Sequence, residues 1–371
     1  MKRRICFFCE HWGSGGIESF LNSILSRLDG SVFEIDIVAA SLETSIFTER
    51  LWRCGVRFLE LTGNPQNIYR NSRKFLEILQ DRRYDVVHLN IFHGWSLRYA
   101  WLAKYAGVPT IVAHSHNTAL RKSTVWPLKM LIHTLAKGFF SGYPTDFWAC
   151  SALAANFLFS AKVLQKRGFH FVPNGIDTQR FAFSQHVREK LREKLNISGT
   201  YVIGNVGRLC GQKNQSFLLD VFRVALHKVP EASLLLVGEG RDMAALRKKA
   251  ERLGVQKNVI FYGTSQSIEE LLWAMDVFAF PSKFEGLGIA AVEAQAAGLP
   301  VVMSEFVPEE ARLAKKVQVV PLEDGPERWA DALLGAAFEN TTVRMAGASD
   351  VRNAGFDIAD VAGQIEKFYL R

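Results

Sequence analysis

Asp276-Val-Phe-Ala-Phe280 runs into Pro281-Ser-Lys-Phe-Glu285-Gly-Leu-Gly-Ile-Ala-Ala-Val-Glu293-Ala-Gln-Ala-Ala-Gly-Leu-Pro300, and this stretch decides the architecture. Its first five residues have the short apolar character of a buried parallel strand, and 290–297 reads as helix. Glu285 therefore lies in a strand-to-helix loop. Eight positions along a helix correspond to a rise of about 12 Å and a rotation of about 80°, too far for Glu285 and Glu293 to share one proton or one metal ion. The two carboxylates must hold different parts of one long ligand. Between them, Gly286, Leu287 and Gly288 bring uncovered backbone N–H groups to a helix N-terminus, where dipole and unpaired donors favour phosphate or an electron-rich hydroxyl oxygen.

The same rhythm extends in both directions. Apolar runs at Ile5–Cys9, Phe33–Ala39, Val56–Leu61, Asp85–Leu89, Thr110–Ala113 and Asp146–Ala149 alternate with amphipathic segments, which predicts a parallel sheet with helices on both faces. The pattern restarts after Val172, with strands at Tyr201–Val206, Ser233–Val237, Val259–Tyr262, Val277–Phe280, Val301–Met303 and Val317–Val320. Two doubly wound α/β domains follow, 1–172 and 173–371, with the boundary at the Pro173-Asn-Gly-Ile-Asp177 turn. A last helix, about 358–370, is expected to cap either of them.

With 371 residues, 48% apolar and 22% charged, the chain suits two globular domains and not a disordered or repetitive protein. Five scattered cysteines point to reduced thiols in the cytoplasm rather than a disulfide framework. Cys6-Phe-Phe-Cys9 has redox spacing but lies in a predicted strand, where positions three apart face opposite sides, so core packing is expected. No charge-free apolar stretch is long enough to span a bilayer. Up to Val172 there are 21 basic and 12 acidic residues, a charge of +9, and beyond it 24 and 25, a charge of −1. The first half is thus expected to meet something anionic, such as a membrane surface or a charged acceptor.

In open parallel sheets ligands bind at the carboxyl ends of the strands, and several polar motifs fall there. Gly13-Ser-Gly15-Gly16 follows the first strand and gives a phosphate room to approach, although it matches neither the dinucleotide nor the Walker spacing. Arg208 and Lys213 frame the loop after the first strand of the second half, a place to hold two phosphates by charge-assisted hydrogen bonds. His114 and His116 project to one side of a strand end, but no third histidine or carboxylate stands at zinc-site spacing, and no Asp-x-Asp offers magnesium a seat. Cations and helix N-termini must then do the neutralising, with no metal and no cofactor. Between Arg121 and Gly142, Lys122, Lys129, His133 and Lys137 fall on one helical stripe, with Leu131, Ile132, Leu135 and Phe139 opposite. That pattern reads as a solvated cationic face over a packed core, or as a patch for anionic lipid or a lipid diphosphate.

Taken together, Gly15-Gly16-Ile-Glu-Ser-Phe20, Ala113-His-Ser-His-Asn117, Ala149-Cys-Ser151, Val172-Pro-Asn-Gly-Ile-Asp177, Gly207-Arg-Leu209 with Lys213-Asn214, Leu236-Val-Gly-Glu-Gly240 and the Glu285–Glu293 string occur in the order found in the family 4 retaining glycosyltransferases. The chain resembles that family over nearly its whole length, and in detail the bacterial exopolysaccharide and capsule enzymes. The resemblance implies a GT-B fold, two Rossmann-like domains facing each other across a cleft, which would close about the Pro173–Asp177 hinge. By the same resemblance Arg208 and Lys213 would bind the donor diphosphate, and Gly15 and Gly16 would meet its distal phosphate. Glu285 with the Gly286–Gly288 backbone would hold the transferred sugar, Glu293 the ribose, and Thr264 and Ser265 would pass the nucleobase. His116 would stand near the anomeric carbon. The implied reaction moves a sugar from a nucleotide diphosphate sugar, most simply a UDP-sugar, to a saccharide acceptor carried on lipid at the inner membrane face.

Two other classes fit less well. A nicotinamide oxidoreductase would need dinucleotide glycine spacing and a ribose-binding acid after the second strand, and neither is present. A non-catalytic binder of anionic polymer would use the +9 of the first half, yet no nucleic-acid motif or aromatic single-strand platform accompanies it.

Overall fold

The computed structural model describes residues 2–13, 16–120, 125–336 and 344–371. Gly15 and Lys122 lie outside the described residues. The chain forms two compact units, residues 1–175 together with 358–371, and residues 176–357.

In the first unit β1 (Arg3–Trp12), β2 (Phe33–Leu42), β3 (Arg57–Glu60), β4 (Val86–Ile91), β5 (Thr110–Ser115), β6 (Asp146–Ala149) and β7 (His170–Phe171) lie in the order β3-β2-β1-β4-β5-β6-β7. All neighbouring pairs are parallel. Val86–Ile91 is buried at every position, as expected for a strand covered on both faces by helices. Cys6 and Cys9 are fully buried in β1 and burial pushes both thiols up, so they pack and do not react. The C-terminal helix Ile358–Tyr369 belongs to this unit. Its stripe Ile358, Val361, Ala362, Ile365 and Tyr369, at helical spacing, joins the core around β1 and β2.

The second unit repeats the design with β8 (Val202–Val206), β9 (Ser233–Val237), β10 (Val259–Gly263), β11 (Val277–Phe280), β12 (Val301–Met303) and β13 (Val317–Val319) in the order β10-β9-β8-β11-β12-β13. Trp329, on the helix Gly325–Gly335, is fully buried in its core. In both sheets the strand order reverses beside the first strand, between β1 and β4 and between β8 and β11. Such a reversal, at the carboxyl ends of the strands, is where open α/β sheets bind ligands.

One expectation is reversed. The helix Trp126–Phe140 keeps the expected two stripes, but Leu131, Ile132, Leu135 and Phe139 face outward while His133 is buried. His133 accepts the Gly94 N–H at Nδ1 (3.0 Å) and meets the Phe157 carbonyl at Nε2 (3.0 Å). Lys137 donates through Nζ to the Asn156 carbonyl and to that of Phe157 at 3.0 Å. Both side chains thus satisfy carbonyls at the end of the helix Ala152–Leu158, which no helix can pair by itself. Burial pushes His133 and Lys137 down from their ordinary values. Of the described members of the expected cationic face, only Lys129 is exposed.

Candidate active site

In the second unit, two loops meet at the reversal of strand order. The loop after β8 is laid on the loop after β9, backbone against backbone: Gly207 N–H donates to the Val237 carbonyl (2.9 Å) and Leu209 N–H to that of Glu239 (2.9 Å). A Cβ at Gly238 would stand 2.3 Å from the Gly207 oxygen, and one at Gly240 2.3 Å from the Leu209 oxygen. That contact is the physical reason for the glycines of Leu236–Gly240.

Glutamines then hold the loop. Gln215 donates to Asn205 Oδ1 and to the Arg208 carbonyl, each at 3.2 Å. Gln212 donates to the Phe284 carbonyl (2.9 Å) and its own carbonyl accepts from Lys283 N–H (2.8 Å). The Cys210-Gly211-Gln212 insert, to which the motif pattern attaches no role, therefore ties the Arg208–Lys213 loop to the loop that carries Glu285.

Across that tie Lys213 Nζ and Glu285 Oε1 form an ion pair at 2.7 Å, with both side chains largely shielded from water. The ammonium also stands 4.7 Å from the centre of the Phe280 ring. Arg208 is exposed at the mouth of the loop. Gly288 takes φ +96 as the residue that starts the helix Ile289–Ala296, and a Cβ there would press on Phe280 and Val307 at 3.1 and 3.2 Å. Leu287 is buried and anchors the same turn. From the helix, Glu293 is pushed up to about 7 by burial, with Arg180 and Lys213 pulling it down and Glu269 pushing further up. Arg180, which no motif marks, donates to Glu269 through Nε at 2.9 Å. Thr264 is exposed beyond the end of β10, and Ser265 accepts the Ser267 N–H at 3.0 Å.

In the first unit, the carboxyl ends of β1, β4 and β5 carry the candidates. Gly16 begins the helix Gly16–Leu25, and a side chain there would meet nothing within 4 Å, so the backbone is open to a ligand. His116 is 7% exposed, with Nε2 3.0 Å from Asn90 Oδ1 on β4. Burial holds it down at about 4, only partly offset by Asn174, so the ring is neutral at physiological pH.

A third histidine does stand close by, contrary to the expectation from spacing. His88 of β4 shares a 3.1 Å hydrogen bond between its Nε2 and His114 Nδ1, and its Nδ1 meets the Tyr369 hydroxyl at 2.5 Å. His114 and His116 stack with ring centres 4.0 Å apart, edged by Phe20. The nitrogens bond one another and the tyrosine in a chain. Among the described residues no group of three or more His, Cys, Asp or Glu side chains is placed to hold a metal ion. His88 and Asn90 alternate on β4 beside His114 in register, a pairing legible only once the strand order is known.

Residues 14–180 match the family model described as Glycosyltransferase Family 4, and residues 187–333 match that of Glycosyl transferases group 1. The chain carries a glycosyltransferase family 4 domain followed by a glycosyl transferases group 1 domain. It is a glycosyltransferase of the GT-B type, built from two Rossmann-like parallel-sheet domains. The enzyme is 26% identical to EpsF of Bacillus subtilis (strain 168), over 99% of this chain and 96% of that protein. It is likewise 26% identical to the UDP-Gal:alpha-D-GlcNAc-diphosphoundecaprenol alpha-1,3-galactosyltransferase of Escherichia coli, over 62% of this chain and 60% of that one. Among solved structures, HepE (Alr3699) of Anabaena in complex with UDP superposes with a TM-score of 0.77 at 21% identity, covering 99% of both chains, a likeness of fold.

Proposed function

We propose that this glycosyltransferase takes a hexose from a UDP-sugar, without a metal ion, and passes it with retained anomeric configuration to a lipid-linked saccharide at the cytoplasmic face of the membrane, in exopolysaccharide or capsule synthesis. The observation that carries the proposal is the Lys213–Glu285 pair at the carboxyl ends of β8 and β11, with Arg208 exposed on the same loop as Lys213. A diphosphate gains negative charge as the glycosidic bond breaks, so fixed cations aimed at it stabilise the transition state more than the ground state. Arg208 and Lys213 supply that charge, and Glu285, released from Lys213 by the phosphate, accepts hydroxyls of the departing sugar. Glu293 accepts from the ribose, Gly16 offers its N–H to the distal phosphate, and neutral His116 hydrogen-bonds near the anomeric carbon. The acceptor's proton leaves with the phosphate as the acceptor oxygen attacks from the same face.

UDP is the nucleotide in the HepE complex, and the E. coli relative is named for a UDP-galactose donor and a diphosphoundecaprenol acceptor; both support the choice of donor and of a lipid carrier. Thermal unfolding with UDP, GDP and ADP tests the donor: UDP should raise the melting midpoint most, and Arg208→Ala should remove the rise without lowering the midpoint of the free protein. An equal rise with every nucleotide, or a rise that survives Arg208→Ala, would refute the assignment.

A further inference from the structure

From the reversed helix Trp126–Phe140 we infer that the enzyme docks on an anionic bilayer by inserting an apolar stripe, with the cations around it reading the headgroups. The inference rests on the proposal that the enzyme works at a membrane, and it names the surface responsible. Leu128, Leu131, Ile132, Leu135 and Phe139 are each 43–68% exposed. At 100° per residue they fall within a single stripe about 100° wide, a width suited to lying in the plane of a bilayer interface. Among the described residues no helix is long and apolar enough to cross a membrane, so contact by this helix is interfacial.

The stripe cannot simply roll inward. A Cβ at Gly94 would stand 2.4 Å from the His133 carbonyl oxygen, which shows how closely the helix backbone is seated. His133 and Lys137 are spent on Gly94, Asn156 and Phe157 beneath it. Turning the leucines inward would strand those carbonyls without partners.

Charge selects the occupant. Between Asp85 and Asp177 the sequence holds nine lysines and arginines and one acid, Asp146, so the stretch of sequence that contains this helix supplies a charge of +8 (nine less one) of the +9 of the first half. Lys129 is exposed at the border of the stripe, and the adjoining helix Arg98–Tyr105 adds exposed Trp101 and Tyr105, side chains suited to the headgroup level. A second copy of the chain would bring the same acid-poor surface against itself. A bilayer with anionic lipid offers both an apolar phase and the opposite charge.

The test uses the full chain, without donor or acceptor, sedimented with vesicles of phosphatidylcholine alone or with phosphatidylglycerol. Wild type should bind the anionic vesicles, and Leu135→Glu with Phe139→Glu should weaken binding by about tenfold or more, while Lys129→Glu weakens it by about threefold. The UDP-induced rise in melting midpoint should be unchanged in all three, since none of these residues belongs to the donor site. Equal sedimentation of wild type and the double variant would overturn the inference. So would self-association of wild type in solution that the double variant abolishes, because the stripe would then be a subunit interface. Absence of vesicle binding by wild type with a normal UDP response sinks only this inference, whereas vesicle binding by wild type without a UDP response sinks the donor assignment.

Discussion

Glu293→Gln separates the electrostatics of the proposed donor site from its packing, because the amide keeps the shape and removes the titration. Burial lifts Glu293 from an ordinary 4.5 to about 7 in the folded chain. An acid with a raised folded value holds its proton more tightly in the folded state, so its contribution is fully present below pH 4.5 and is lost as pH rises through 7. At about 1.4 kcal/mol per pH unit, the interval from 4.5 to about 7 amounts to roughly 3 kcal/mol, an upper limit because the side chain keeps some contact with water. For a unit of this size about 1 kcal/mol moves the melting midpoint by about 2–4 °C, so the group is worth up to about 6–12 °C. Melting of wild type and variant at about pH 5 and pH 8 cancels every other titrating group in the double difference. Wild type should lose more stability than Glu293→Gln over that interval, and the variant should bind UDP more weakly at the higher pH. Parallel pH dependence in the two proteins would refute the desolvated-acid argument outright.

Two packing predictions can be checked by the same melts. Tyr369→Phe removes the hydroxyl from His88 and leaves a buried nitrogen unpaired, which should lower stability by about 1–3 kcal/mol; an unchanged midpoint would mean that the histidine chain is not tied to the C-terminal helix. Gly94→Ala sets a methyl against the His133 carbonyl and the Lys137 amide at 2.4 and 2.9 Å, both backbone atoms, and should cost about 1–3 kcal/mol by forcing the helix off its seat. A neutral outcome there would show that the helix is free to shift.

Apolar runs and the turns between them were enough to place the strands of both sheets, because a parallel strand buried on both faces leaves a short hydrophobic signature that does not depend on its neighbours. Among the described strands, β7, two exposed residues long, carries no such signature. What periodicity cannot supply is the sign of an amphipathic helix. The stripes of residues 126–140 are visible in the sequence, but which one faces inward is decided by Gly94 and by the carbonyls of Asn156 and Phe157, distant in sequence and adjacent only after folding. The site divides the same way. Glu285 and Glu293 are legible from a single string, whereas Gln212 and Arg180 act through partners about 70–90 residues away, and His88 through one 281 residues away.

Lys213 and Glu285 explain how such a site stays folded before its substrate arrives. A buried ammonium facing a vacant phosphate position would carry a desolvated charge with no partner, which is strongly destabilising. Here the carboxylate proposed to hold the sugar neutralises the cation proposed to hold the diphosphate, at 2.7 Å. Phosphate and sugar hydroxyls arriving together give each group a new partner at the same moment, so a complete sugar nucleotide exchanges one satisfied pair for two. On the proposed roles a bare sugar would draw Glu285 away from Lys213, and a bare phosphate would draw Lys213 away from Glu285. On the proposed roles the ion pair therefore favours the intact donor through the same two side chains.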